Sequence, residues 1–189
     1  GSILHLARDG DIVWGAGRNG KIPDNSHCFS TLDVRAVRGP LTREFLLRRG
    51  INAPAIYGDP ALLLSDVMPE LANKEKKYTR DYIFVPNYND FYWTRGEENV
   101  LDPRSSLVMC LNTILNSKFV VATSLHAVIV AESFGIPARL VRSRVEGEFK
   151  YRDYYLGSGR ENFVIAKDLR EALDIGGESP PVFDKIALI

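Results

Sequence analysis

Apolar and polar positions alternate most legibly between Phe119 and Val141, which reads F-V-V-A-T-S-L-H-A-V-I-V-A-E-S-F-G-I-P-A-R-L-V. Phe119 to Ala122 is a short unbroken apolar run of β-prone side chains, which predicts a strand covered on both faces. Thr123 and Ser124 then offer N-cap hydroxyls, and Leu125 to Phe134 is apolar almost all round. Gly135 supplies a stop and Pro137 forbids continuation, so the stretch predicts strand, buried helix and second strand. Similar punctuation recurs elsewhere. Asp11–Trp14, Leu32–Val37, Ala55–Tyr57, Tyr82–Val85 and Lys118–Ala122 read as strands. Pro40 to Gly50 has proline near its start, leucines on one side, arginines in the last turn and a closing glycine, which predicts a helix; Ser105–Leu115 and Asp168–Ala172 predict two more. Strands alternating with helices predict an α/β protein with parallel sheets.

Between Met68 and Arg80 the pattern breaks, with Pro69 and the run Lys74-Glu75-Lys76-Lys77, and this reads as an exposed connection. It predicts a first lobe at 1–66, a linker at 67–80 and a second α/β domain at 81–189. Residues 148–160 mix aromatics, cations and glycines, which suits either a loop over a site, with tyrosines such as Tyr154 stacking on a sugar, or an ordinary packed aromatic loop. Pro180 to Ile189 reads as a tail lying over the fold or crossing to the other lobe.

Composition changes this picture little. The 189 residues are 45% hydrophobic and 25% charged, ordinary for a soluble globular chain. Net charge is zero, so no overall field recruits nucleic acid or an anionic membrane, and any anion must be held by a local cluster. Cys28 and Cys110 lack C-x-x-C spacing; two free thiols fit a reducing cytoplasm, with a single bridge as the alternative. No apolar run reaches the ~18 residues of a membrane span, so contact with a membrane-borne substrate at the inner face would be peripheral.

Candidate chemistry gathers where strands give way to helices. Ser124 and His126 stand at one such junction, where backbone N–H groups and the helix dipole attract an anion. The other reading of His126 is a hydrogen-bonded core histidine. Arg38 lies at the same kind of junction, as a substrate clamp or a surface arginine, and Asp59 in G-D-P either anchors a hydroxyl or shapes a turn. Gly15 to Gly17 gives only G-x-G, without the third glycine of a dinucleotide fingerprint. No zinc, EF-hand, G-x-S-x-G or Walker A pattern is present, and three scattered histidines argue against a metal cage. Arginines plus one histidine suit a small, densely anionic substrate.

Several segments, in order, resemble the polysaccharide pyruvyltransferase family of bacterial exopolysaccharide assembly: G-S-I-L with D-I-V-W-G-A-G, V-R-G-P-L-T-R-E-F-L-L-R-R-G, Y-G-D-P-A-L-L-L, I-F-V-P-N-Y, S-L-H-A-V-I-V-A-E-S-F-G-I-P and F-K-Y-R-D-Y-Y. The resemblance implies two Rossmann-like lobes arranged like a type B glycosyltransferase. It also implies transfer of the enolpyruvyl unit of phosphoenolpyruvate to two hydroxyls of a sugar in a polysaccharide or lipid-linked oligosaccharide, with no cofactor. By motif, Arg38 resembles the family's phosphate-binding arginine and His126 its essential histidine. Many members have arginine two positions before that histidine, where this chain has Ser124, so Arg142, Arg144 and Lys150 become candidate replacements. Asn87 stands where some close relatives carry histidine, and Asp59 or Asp153 is a candidate base for the acceptor. Members usually begin well before a segment like G-S-I-L, so the resemblance implies that much of the first lobe is missing, the chain being a truncated piece or a natural fragment. Two other readings remain: a sugar-nucleotide glycosyltransferase, and a non-catalytic glycan-binding domain.

Overall fold

The computed structural model describes residues 1–73, 75–94 and 96–189; Lys74, in the expected connection, lies outside the described residues. The strands are β1 (Ile12–Ala16), β2 (Asp33–Val37), β3 (Ile83–Val85), β4 (Val120–Ala122) and β5 (Ala138–Leu140). The helices are α1 (Pro40–Arg48), the one-turn α2 (Leu64–Val67) and α3 (Pro69–Ala72), α4 (Leu107–Leu115), α5 (Leu125–Ser133), α6 (Phe149–Gly157), α7 (Leu169–Ile175) and α8 (Lys185–Leu188), with short 3-10 turns between some of them. They form two compact units, one of Gly1–Pro60, Glu146–Phe163 and Pro181–Ile189, the other of Ala61–Val145 and Val164–Pro180. This division differs from the expected 1–66, 67–80 and 81–189. Residues 61–80 fold with the second unit because they find partners there: Arg80 bridges Ser117, and the Lys76 ammonium donates to the Phe134 carbonyl at 3.2 Å.

In the first unit β1 and β2 pair in parallel, and Tyr57 adds a single parallel bridge to Val37 where a full strand was expected over 55–57. Burial alternates along β1, so one face is covered and the other is not. Val13, Val34 and Val37 pack with Phe29, Phe45, Leu46 and Ile51. Residues 148–160, expected as a loop, instead contain α6. Tyr151, Tyr154 and Tyr155 fall at positions i, i+3 and i+4, one stripe of a helix, and all three are buried. Sugar stacking by Tyr154 is thereby replaced by core packing: its ring sits edge-on to Tyr155 at 5.8 Å.

In the second unit β3, β4 and β5 form a parallel sheet in that order, with Ile83, Val120 and Ala138 in register. All of their residues are buried; β3 and β4 read as unbroken apolar runs, while β5 carries Arg139, whose guanidinium reaches the Gly176 carbonyl at 2.8 Å and Glu178 at 3.1 Å. Between β3 and β4 lies α4, whose N-cap Ser106 accepts a hydrogen bond from the Met109 N–H. α5 connects β4 to β5 and buries seven of its nine residues, as its all-round apolar sequence predicts. Both parallel sheets are of the Rossmann-like α/β kind. Among the described residues no helix is long and apolar enough to cross a membrane, and Cys28 and Cys110 are free thiols.

His27 is built into the first unit's core. It is 2% exposed, packs on Phe45 at 4.8 Å, and its Nδ1 lies 3.2 Å from the Pro23 carbonyl, while Nε2 is buried without a hydrogen-bond partner. Burial is the main cause holding its pKa below the ordinary 6.5; Arg18 and Arg49 add to the depression and the Pro23 and Asp24 backbone opposes it. As pH falls through 6.5 the unfolded chain takes up the proton first, so stability is complete above that value and declines below it. Urea unfolding of the wild-type chain is expected to shift to lower midpoints between pH ~7 and ~5, and His27→Gln to flatten that dependence.

Candidate functional site

Because β3, β4 and β5 run the same way, their C-terminal ends share one edge of the sheet. After β3, the Asn87 N–H donates to Thr123 Oγ1 at 2.8 Å and the Asn87 side chain accepts from the Asn89 N–H at 3.0 Å, closing a tight turn. After β4, Ser124 is the N-cap residue of α5; its side chain makes no capping hydrogen bond, and its backbone N–H donates to the Val85 carbonyl at 3.3 Å. His126 follows in the first turn and is exposed. After β5, the Val141 N–H donates to the Ala122 carbonyl at 2.8 Å, and Arg142 and Arg144 extend from the strand's end, both exposed.

A buried carboxylate fixes this edge. Asp90 accepts from the Ser143 hydroxyl at 2.6 Å and from the Arg144 N–H at 3.1 Å, tying the loop after β3 to the loop after β5. The Arg144 guanidinium then lies 5.3 Å over the Trp93 ring. Together these loops border a cavity of ≈ 120 Å³ lined by Phe84, Thr123 and Val141 at the strand ends, by the acidic Asp90, Glu97 and Asp168, by the cationic Arg142, Arg144 and Lys167, and by Trp93. Asp90 spends both oxygens on the loops, and the cationic side of the cavity is that of Arg142, Arg144 and Lys167. Ser124 and His126 are not part of this wall.

Asn87, Ser124, His126, Arg142 and Arg144, all expected from sequence, therefore meet at one sheet edge. Asp90, Trp93, Thr123 and Lys167 were missed. The signal for the first two was available: N-Y-N-D-F-Y-W stands directly after β3, as S-L-H does after β4 and R-S-R after β5.

The remaining expected residues belong to the first unit and are turned inward. Arg38 is 0% exposed. Its Nε and Nη2 approach Asp153 Oδ2 at 3.1 and 2.9 Å, Nη1 donates to Ser2 Oγ at 2.6 Å and Nη2 to the Arg18 carbonyl at 2.7 Å. Burial pulls the guanidinium's pKa down, and Asp153 and then Asp59 oppose that shift. Asp153, also 0% exposed, accepts from the Thr42 N–H at 3.0 Å and the Thr42 hydroxyl at 2.6 Å. It thus caps α1 from another helix, where the N-cap residue Gly39 has no side chain to do so. Gly39 also permits the close approach of α6: a Cβ there would lie 1.7 Å from the Asp153 carbonyl oxygen. Lys150 is paired with Glu146 at 2.9 Å, and the other oxygen of Glu146 takes Lys21 at 2.6 Å. Burial depresses the Lys150 pKa, Lys21 and Arg38 adding to the effect and Glu146 opposing it. Asp59 is buried and lies 2.8 Å from the Gly1 amino group.

Removing one partner of the Arg38–Asp153 pair strands a buried charge. Asp153→Ala is expected to cost about 3–5 kcal/mol in urea unfolding, and combining it with Arg38→Met to recover part of the loss.

Comparison with known proteins follows the same residues. The family described as "Polysaccharide pyruvyl transferase" matches residues 26–143, more than half of the chain, from before β2 through the end of β5. The succinoglycan biosynthesis protein ExoV of Rhizobium meliloti (strain 1021) is 32% identical over 152 residues, covering 76% of this chain and 46% of that protein. The chain thus spans about half the length of the curated relative it matches. No solved structure matches it. With the family's matching region running from before β2 through the Asn87 turn, Ser124, His126 and Arg142, the chain belongs to the polysaccharide pyruvyl transferase family.

Proposed function

We propose that this chain carries part of an enzyme that transfers the pyruvyl unit of phosphoenolpyruvate to two hydroxyls of one sugar, in a polysaccharide or a lipid-linked oligosaccharide, forming a pyruvate ketal and releasing phosphate. Family membership supports the reaction class, and the relative's name points to an exopolysaccharide acceptor. The observation that carries the site assignment is the β4–α5 junction, where His126 stands exposed in the first turn of a helix that its N-cap side chain leaves open.

Phosphoenolpyruvate brings a carboxylate and a phosphate. In this reading the phosphate docks at the start of α5 beside His126 and the carboxylate turns to Arg142, with Arg144 and Lys167 completing the cationic side. The protonated imidazole gives its proton to the methylene carbon, which becomes a methyl group, and the adjacent carbon acquires oxocarbenium character. One sugar hydroxyl attacks that carbon and passes its proton to a phosphate oxygen. The C–O bond to phosphate breaks, the second hydroxyl closes the ketal, and its proton returns to the imidazole. Two hydroxyl protons are thus accounted for, one on phosphate and one restoring the histidine.

Arg38 is not assigned to the donor, since its guanidinium is spent within the first unit on Asp153, Ser2 and the Arg18 carbonyl. Asp153 likewise serves α1 and Arg38 and is not assigned as the acceptor's base. We place the activity in the bacterial cytoplasm at the inner face of the membrane, where a lipid-linked acceptor would be met.

The decisive assay is phosphate release from phosphoenolpyruvate in the presence of depyruvylated succinoglycan oligosaccharide. His126→Ala is expected to lower kcat at least ~100-fold, the range of a lost general acid. Equal rates for the two proteins would remove His126 from the chemistry, and binding of a sugar nucleotide with none of phosphoenolpyruvate would favour a glycosyltransferase.

A further inference from the structure

The strand-end cavity does not close on itself. Glu97, Asp168 and Leu169 belong both to its wall and to that of a second, wider cleft of ≈ 520 Å³ in the same unit. That volume falls in the range of small-molecule sites, roughly 300–1,000 Å³. The lining charges differ between the two spaces. Among the described residues the wider cleft is lined by Glu97, Glu98, Asp168 and Asp174 against Arg170, whereas the narrower cavity sets Arg142, Arg144 and Lys167 against Asp90, Glu97 and Asp168. Carboxylates outnumber the cation among the described residues of the wider cleft, which disfavours a trianionic donor there, while the narrower cavity, with charges of both signs in equal number, is the better placed of the two to take one.

An exposed aromatic group lines the narrower cavity, four residues before the shared Glu97. Trp93 is 53% exposed and Tyr92 63%, and the two rings meet edge-on at 5.1 Å, so Tyr92 braces the indole. Large aromatic faces cost free energy in water, and here the indole borders a cavity instead of packing into the core. The α6 tyrosines cannot supply such a face, since Tyr151, Tyr154 and Tyr155 are all buried.

We infer that Trp93 and the acidic cleft form a subsite for a neutral sugar of the acceptor. A pyranose presents an apolar C–H face that lies against an indole, and hydroxyls around its rim that donate to carboxylates such as Glu97 and Glu98. It carries no charge for the carboxylates to repel. The shared wall at Glu97 and Asp168 sets the sugar next to the narrower cavity, so its hydroxyls face the donor while further sugars of the chain run along the cleft. Trp93 is then a specificity-determining residue for the acceptor. This inference rests on the proposed pyruvyl transfer for the identity of the sugar's partner, but the binding itself does not require it.

The test therefore has two arms on the full chain, with circular dichroism to establish that variants fold. In the first, saturation-transfer NMR is recorded with cellobiose and lactose and no donor. Wild type is expected to give transfer to the ring protons, Trp93→Phe to keep it, and Trp93→Ala to lose about fivefold to tenfold. In the second, phosphate release is followed with varied oligosaccharide and varied phosphoenolpyruvate. Trp93→Ala is expected to raise the acceptor KM about fivefold to tenfold more than the donor KM. Absent transfer in wild type, equal transfer in Trp93→Ala, or a donor KM that rises as much as the acceptor KM overturns the subsite. Trp93-dependent transfer in a chain that never releases phosphate supports the subsite and sinks the reaction proposed above.

Discussion

Burying both faces of a parallel sheet leaves very little room for polar chemistry. In the second unit the residues of β3, β4 and β5 are all buried, and α5 covers them with a helix that is itself apolar nearly all round. Backbone groups within the sheet are paired, but each strand must leave it, and parallel strands all leave at the same edge. Whatever polar groups follow the strands in sequence are forced together there. Asn87, Thr123, Ser124, His126, Asp90, Arg142 and Arg144 are neighbours for this reason, although more than fifty residues separate the first from the last.

Such an edge is useful only if it is held still. The Thr123 hydroxyl accepts from the Asn87 backbone, and Asp90 accepts from Ser143 and from the Arg144 backbone, so the three loops are joined by short hydrogen bonds from buried side chains. The backbones that carry the exposed Arg142, Arg144 and Trp93 are thus tied together before any ligand arrives, which lowers the entropic cost of binding. Cation and aromatic ring are also paired here, the Arg144 guanidinium lying over Trp93.

The first unit uses similar residue types for the opposite purpose. Arg38 leaves β2 at the position where a phosphate clamp would be expected, yet Asp153, Ser2 and the Arg18 carbonyl absorb its donors. Asp153 in turn completes the start of α1. A guanidinium, a carboxylate, a helix N-terminus and a glycine form one connected knot, and the energetic value of each depends on the others being present.

The order of strands and helices, the parallel sheets, the buried α5 and the strand-end placement of Ser124, His126 and Arg142 were legible in the sequence, because they follow from local periods and from caps and stops a few residues away. The resemblance of ordered motifs to the pyruvyltransferase family was legible for the same reason. The sequence misled at 148–160, where glycines and cations masked the i, i+3, i+4 tyrosine stripe of α6, and at 67–80, where a polar run concealed partners far along the chain. Only the tertiary structure decided that Arg38 and Asp153 face each other across 115 positions, that Tyr154 is buried while Trp93 is not, and that Asp90 anchors the site. Burial and pairing of a charged or aromatic side chain are set by what the rest of the chain brings against it, and no local pattern carries that information.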